Sequence, residues 1–240
     1  AEYAINGSLG TEDITNSGSI SGNTILESGE DVFRIVNGGT VDGWINLGSD
    51  NDQFILSGAG ADAVSGTING DDDIDTFIID NAETNLSGAK ISNFEILNQL
   101  SGISNVTDDI TFDTATISSG SMNIMSGALL DADVSVASGA VLSGLGDVGG
   151  DLDLAGSFLV GDPSGQAGTV GIGGDLSVAP GADITIFFSS GTSSLIDVAG
   201  QAIIDGGEIN LSGNLASVGS EITIISADGG VVENTPLSIS

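Results

Sequence analysis

The chain has 240 residues and a formal net charge of −32, from 34 acidic and 2 basic side chains, with neither Cys nor His. Without Cys there is no disulfide or thiolate chemistry, and without His the usual general base and the commonest metal ligand are missing. Nucleic acid and anionic membrane surfaces are excluded as partners, because both are held by Lys and Arg, and only Arg34 and Lys90 are basic here.

Acidic disordered chains are poor in apolar residues. This chain is 40% apolar, with Val, Ile and Leu spread along its length. No apolar stretch approaches the roughly 18 residues of a membrane-spanning helix. It begins at Ala1, with neither a Met nor a basic region leading into an apolar run, and is expected to be a processed protein or an excised fragment.

The first predicted elements form a repeat. Asp31-Val32-Phe33-Arg34-Ile35 recurs as Asp52-Gln53-Phe54-Ile55-Leu56 and as Asp75-Thr76-Phe77-Ile78-Ile79. Upstream of each lies a Gly-punctuated strand: Ser19-Ile20-Ser21-Gly22, Thr40-Val41-Asp42-Gly43 and Thr67-Ile68-Asn69-Gly70. One unit reads as strand, turn, strand, turn, in about 21 residues. Apolar residues alternate with a period of two, which is strand periodicity. The segment Asn93–Leu100 is the best helical candidate, yet its Ile, Phe and Leu fit a strand equally well. Further on the strands shorten to Asp133-Val134-Ser135-Val136, Asp151-Leu152-Asp153-Leu154, Asp175-Leu176-Ser177-Val178 and Asp183-Ile184-Thr185-Ile186, parted by Gly or Ala-Gly steps.

A fixed period near 21 favours a solenoid over a sandwich or barrel, because no unit buries its apolar face alone. The predicted fold is all-β, a right-handed parallel β-helix of short Gly-punctuated strands with about 11 coils, a rod of about 50 Å at the usual strand spacing. Residues 1–100 hold the N-terminal coils with the Asp-x-Phe repeats and residues 101–240 the C-terminal coils, in one continuous solenoid. Asp outnumbers Glu by 25 to 9. Asp suits turns, where its carboxylate bonds nearby backbone N–H groups, so most of the charge is expected at coil corners and on the solvent face.

From about Leu142 to Gly230 the order of motifs is more specific than any one of them. It runs through Leu142-Ser143-Gly144-Leu145-Gly146, Val148-Gly149-Gly150-Asp151, Pro163-Ser164-Gly165, Gly168-Thr169-Val170 and Gly174-Asp175-Leu176-Ser177-Val178. Ile196-Asp197-Val198-Ala199-Gly200-Gln201-Ala202, Gly206-Gly207-Glu208-Ile209 and Thr223-Ile224-Ile225-Ser226-Ala227-Asp228-Gly229-Gly230 follow. This series resembles the C-terminal passenger region, with its stem, of bacterial autotransporters of the type V secretion route. The resemblance implies a passenger exported through the outer membrane to the cell surface or beyond. It implies a structural or adhesive rod that binds a cell-surface or matrix ligand or self-associates. That family continues into an outer-membrane barrel, and such an anchor is expected outside this segment, which itself makes no membrane contact.

Other chemistry is weighed against plainer readings. Gly144-Leu145-Gly146-Asp147-Val148-Gly149 matches Gly-x-Gly-x-x-Gly, but a dinucleotide needs that pattern between a strand and a helix, and a further Gly-punctuated strand follows. The pairs Asp72-Asp73 and Asp108-Asp109 offer the two carboxyls of a glycosidase. One Arg and one Lys leave little to recognise an anionic polysaccharide, and a Ser nucleophile has no His for a base. The pairs read as solvated corners, and no enzymatic activity is expected. The Asn-x-Ser/Thr triplets at Asn6, Asn85, Asn105 and Asn210 read as chance. Trp44 reads as packing rather than a ligand platform.

Calcium is the sharper alternative. Gly48-Ser49-Asp50-Asn51-Asp52-Gln53-Phe54 and Gly58-Ala59-Gly60-Ala61-Asp62-Ala63-Val64 resemble the nonapeptide of toxin-type β-rolls. The candidate ligands are Asp50, Asp52, Asp62, Asp71, Asp73 and Asp75, since Ca²⁺ takes carboxylate and carbonyl oxygens. The nonapeptides are imperfect and not in tandem, so Asp-capped turns are the first reading and a calcium-binding extracellular module the second. No cofactor is required. The charge generates a test. Self-repulsion is screened over a Debye length of about 8 Å at physiological ionic strength, so NaCl should raise the melting temperature. If the Asp50–Asp75 cluster binds an ion, millimolar Ca²⁺ should raise it further at equal ionic strength. Equal effects leave screening alone.

Overall fold

The computed structural model describes residues 3–161, 164–189, 192–213 and 222–239. The chain is a parallel β-helix: an all-β solenoid of about ten coils whose strands stack in parallel sheets. Among the described residues the sole helical element is the one-turn 3-10 segment Ala61–Ala63. The chain divides into two compact units, Ala1–Ala115 and Thr116–Ser240.

In the first unit a coil carries three strands where the sequence suggested two. Val32–Val36, Thr40–Asp42 and Ile45–Gly48 make one circuit before Gln53–Ser57 begins the next. The added corner falls at Gly43, where a Cβ would sit 2.6 Å from the Gly22 carbonyl carbon. The backbones of successive coils approach so closely there that only glycine fits.

The Asp-x-Phe repeat sets the register. Phe33 pairs with Phe54, and Phe54 with Phe77. Their rings form one interior column, 6.0 Å apart and nearly parallel, then 5.3 Å apart and tilted. Phe94 continues it edge-on at 5.3 Å from Phe77. Two residues on, Ile35, Leu56 and Ile79 form a second fully buried column. This is the stacking expected from a period of one coil, and it follows from the two-residue alternation of a strand.

The third repeat departs from the predicted alignment. Thr67-Ile68-Asn69-Gly70 was expected to match Thr40-Val41-Asp42-Gly43. Instead Ile68–Asp71 stacks on Ile45–Gly48, and Val41 meets Val64 through an isolated bridge. The Ala61–Ala63 turn stands where that strand would be. The longer circuit, 23 residues from Asp52 to Asp75 against 21 from Asp31 to Asp52, is taken up at this corner. Within Asn93–Leu100 the structure has no helix but the strand Ile96–Gln99, paired to Thr76–Asp80.

In the second unit Leu142, Phe158, Ile184 and Ile209 form one buried column across four coils. Leu152, Leu176 and Ala202 form another. The distance along the chain between stacked partners grows from 18 residues (Asp133 to Asp151) to 24 and then 26. Part of the added length lies in longer strands, from Asp147–Val148 to Thr169–Ile172 and from Ser157–Val160 to Asp183–Ser189. The end of Asp183–Ser189 pairs antiparallel with Thr192–Ser193.

The ring column yields a test. Phe54 has an aromatic neighbour on each side, whereas Phe94 ends the column. Phe54→Ala is expected to lower local stability by about 3–5 kcal/mol, the usual loss for a buried Phe. It should be read as lost amide-exchange protection across Val32–Ile79. Phe94→Ala should lose less; an equal or larger loss at Phe94 would contradict the column.

Candidate functional site

The Asp of each Asp-x-Phe repeat lies two residues before its Phe, and so it points inward with it. Asp31, Asp52 and Asp75 are 0–1% exposed. Their Oδ1 atoms accept backbone N–H groups from the coil before. Glu12 N–H donates to Asp31 at 2.6 Å, Asp31 N–H to Asp52 at 2.7 Å, and Asp52 N–H to Asp75 at 2.7 Å. Asp75 N–H in turn donates to Glu95 Oε2 at 2.7 Å. The result is a carboxyl ladder running through the first unit.

Oδ2 of Asp31, Asp52 and Asp75, and Oε2 of Glu12, are buried without a hydrogen-bond partner among the described residues. Burial pushes the Asp31 carboxyl up to about 6, against the pull of the Glu12 N–H and with the help of the Glu12 carboxyl, which raises it through both its charge and its side-chain interaction. Burial likewise pushes Asp52 and Asp75 up to about 7. The backbone hydrogen bond opposes each shift, and the adjacent carboxylates of Asp31 and Asp50, or of Asp52, Glu95 and Asp73, add to it. Asp75 Oδ2 lies so close to the Gly70 Cα that a Cβ on Gly70 would collide with it.

The six residues predicted as calcium ligands are thus distributed over different surroundings. Asp52 and Asp75 belong to the interior ladder. Asp50 and Asp73 are exposed on the corner beside it, where Gly29 N–H donates to Asp50 at 3.1 Å and Asp50 N–H to Asp73 at 3.2 Å. Both adopt positive φ, 83° and 79°, a conformation that Asp tolerates better than most residues. Asp71, also exposed, accepts from Asn46 and Asn69. Asp62 lies in the 3-10 turn at another corner of the coil. Among the described residues no three acidic side chains are arranged to hold one metal ion.

The second unit uses a different corner. Asp133 Oδ1 accepts the Asp151 N–H at 2.9 Å, Asp151 accepts from Asp175 at 2.7 Å, and Asp175 from Gln201 at 2.7 Å. These carboxylates are exposed and point to the following coil, the reverse of the first unit. The residue before each donor is Gly150, Gly174 or Gly200, and a Cβ on any of them would strike the bonded carboxylate. The Gly-Gly-Asp motif is therefore one device: glycine clears the space that the previous coil's Asp occupies. The unit also carries a groove of about 380 Å³ whose lining includes Ala137, Ala155, Ala179 and Pro180 together with Asp153 and Asp205.

The remaining candidates take structural places. Gly144 has φ +124°, and a Cβ there would run into the Ile124 carbonyl; strands, not a helix, follow it. Asp108 caps a turn, accepting from the Ser87 hydroxyl at 2.7 Å and Gly88 N–H at 2.9 Å. Trp44, half-buried between Thr40–Asp42 and Ile45–Gly48, packs edge-on against Tyr3 at 5.8 Å. Pro163, quoted in the resemblance, lies outside the described residues. Both basic side chains are engaged, Arg34 with Asp13 and Lys90 with the Val64 carbonyl.

No family model matches the sequence, and neither the curated proteins nor the solved structures contain a significant match. The glycine-cleared corner can be tested directly. Gly174→Ala should destabilise the second unit by about 1–3 kcal/mol, the range for overpacking a tight site, read as a lower melting temperature. Gly18→Ala, where nothing lies within 4 Å of the added Cβ, should stay within about 0.5 kcal/mol of the parent. A neutral Gly174→Ala would remove the steric account of the motif.

Proposed function

We propose that the chain is an autotransporter passenger region, displayed or released outside a bacterial cell, which serves as a structural and adhesive scaffold. The observation that carries this reading is the use made of the motifs that resemble the passenger family. Val148-Gly149-Gly150-Asp151 and Gly174-Asp175-Leu176-Ser177-Val178 form stacked corners and strands. Ile196-Asp197-Val198, Gly206-Gly207-Glu208-Ile209 and Ile225-Ser226-Ala227 align coil on coil. Residues that build coils repeat because the coil repeats, and this is the pattern of a scaffold whose binding is done by its outer faces.

The chain is strongly acidic, and both cations are already engaged. Such a surface favours a cationic ligand, or an anionic one bridged by divalent ions, on a neighbouring cell or in a matrix. The groove lined in part by Asp153 and Asp205 adds apolar surface from Ala137, Ala155 and Ala179 to that contact. Antibodies raised against the purified chain should label intact, unpermeabilised cells of the source organism. Beads coated with the full chain should adhere to cells or matrix, or to one another, in a salt-dependent way. Label confined to permeabilised cells would exclude display, and beads that bind nothing at low or physiological salt would exclude the adhesive role.

A further inference from the structure

The interior ladder of the first unit stacks like groups. Glu12, Asp31, Asp52, Asp75 and Glu95 follow one another coil by coil, linked through single backbone hydrogen bonds. Strands in a sheet lie about 4.8 Å apart, so adjacent carboxyls stand about that far from one another. Asp31, Asp52 and Asp75 are closed off from solvent, with one oxygen each left unpaired. The charged groups facing them are all acidic: Glu12 and Asp50 at Asp31, Asp31 and Asp50 at Asp52, and Asp52, Glu95 and Asp73 at Asp75. Arg34 is held by Asp13 and Lys90 by the Val64 carbonyl. Three buried negative charges in a row, with neither Arg nor Lys among the charged groups facing them, repel one another in a poorly screening interior.

We infer that this ladder is a proton-dependent clasp: the coils of the first unit are held firmly while the buried Asp carboxyls carry protons, and loosen when those protons leave. A neutral carboxyl keeps its Oδ1 as acceptor for the coil before, so the hydrogen-bonded ladder survives protonation while the repulsion does not. The pH direction follows from linkage. Burial raises the folded-state values from 3.8 to about 6 at Asp31 and about 7 at Asp52 and Asp75. Between those limits the folded unit binds more protons than the unfolded one, so its stability falls as pH rises from about 4 to about 7 and is then level. This is opposite in sign to a salt-bridged carboxylate, which loses stability in acid.

The experiment is amide hydrogen exchange on the full chain at pH 5 and pH 8, corrected for intrinsic rates. Protection across Val32–Ile79 should fall at least ~10-fold more than protection across Val141–Val198, because each titrating group moves the opening equilibrium up to ~10-fold per pH unit. The second unit is the internal reference for the general effect of net charge. Asp52→Asn, which keeps an acceptor oxygen but cannot ionise, should flatten the profile and raise protection at pH 8. Asp50→Asn, which removes one of the smaller charges facing Asp31 and Asp52, should move the profile slightly to lower pH without flattening it. Parallel profiles in the two units, or an equal effect of the two variants, would overturn the inference. Infrared spectra of the unmodified protein decide the matter even if Asp52→Asn fails to fold. A protonated-carboxyl band present at pH 6 and lost by pH 8 supports the clasp, and its absence at pH 6 refutes it.

Discussion

Every feature of this protein depends on the hydrogen bonds that run from each coil to the next. Parallel pairing fixes the register, as in Phe33 on Phe54 on Phe77, and repeats it at every circuit. Equivalent side chains are then forced into columns about 4.8 Å apart. A column favours rings or aliphatic groups, which gain contact from their own kind. It is costly for charges, which do not. The sequence must place the first inward and keep the second outward, or find a way to hold a charge-bearing group inside.

The two units answer that demand at their corners in opposite ways. In the first, a short acidic side chain turns inward and bonds the backbone of the coil before it. In the second, it stays outside and bonds the coil after it, and a glycine makes the necessary room. Each satisfies a backbone donor that the tight turn would otherwise leave bare. The first solution buries polar atoms and leaves some unpaired, whereas the second leaves the carboxylate in water, where its charge is cheaply solvated.

Much of this was legible in the residues. The 21–23 residue recurrence of Asp-x-Phe-x-aliphatic pointed to the solenoid, and the ring column follows from it, because a coil's period and its stacking are one fact. The turn at Ala61–Ala63 and the third strand of each coil were not legible. They depend on how closely Gly43 approaches Gly22 and on where a longer circuit places its extra residues, and spacing alone carries neither. The inward ladder was within reach and was missed. Asp31 and Phe33 share a strand face by the period of two, yet acidic residues beside glycine suggested a solvated turn or an ion. Composition argued for water, parity argued for the core, and parity was right. The candidate ligands divided for the same reason: Asp50 and Asp52 are also two apart, but the chain turns between them, with positive φ at Asp50.

The scarcity of basic residues reaches beyond electrostatics. Enzymes that cleave after Lys or Arg find two addresses in the whole chain, Arg34 and Lys90. Arg34 lies within the strand Val32–Val36, paired on both sides and clamped to Asp13. Lys90 borders the strand Ile91–Ser92, with its ammonium on the Val64 carbonyl. Cleavage requires an extended, unpaired stretch of backbone in the enzyme's cleft, and neither site offers one without opening a coil. From Ile91 to Ser240 there is no such residue at all. The same composition that makes the chain so acidic also makes it a poor substrate for trypsin-like proteases.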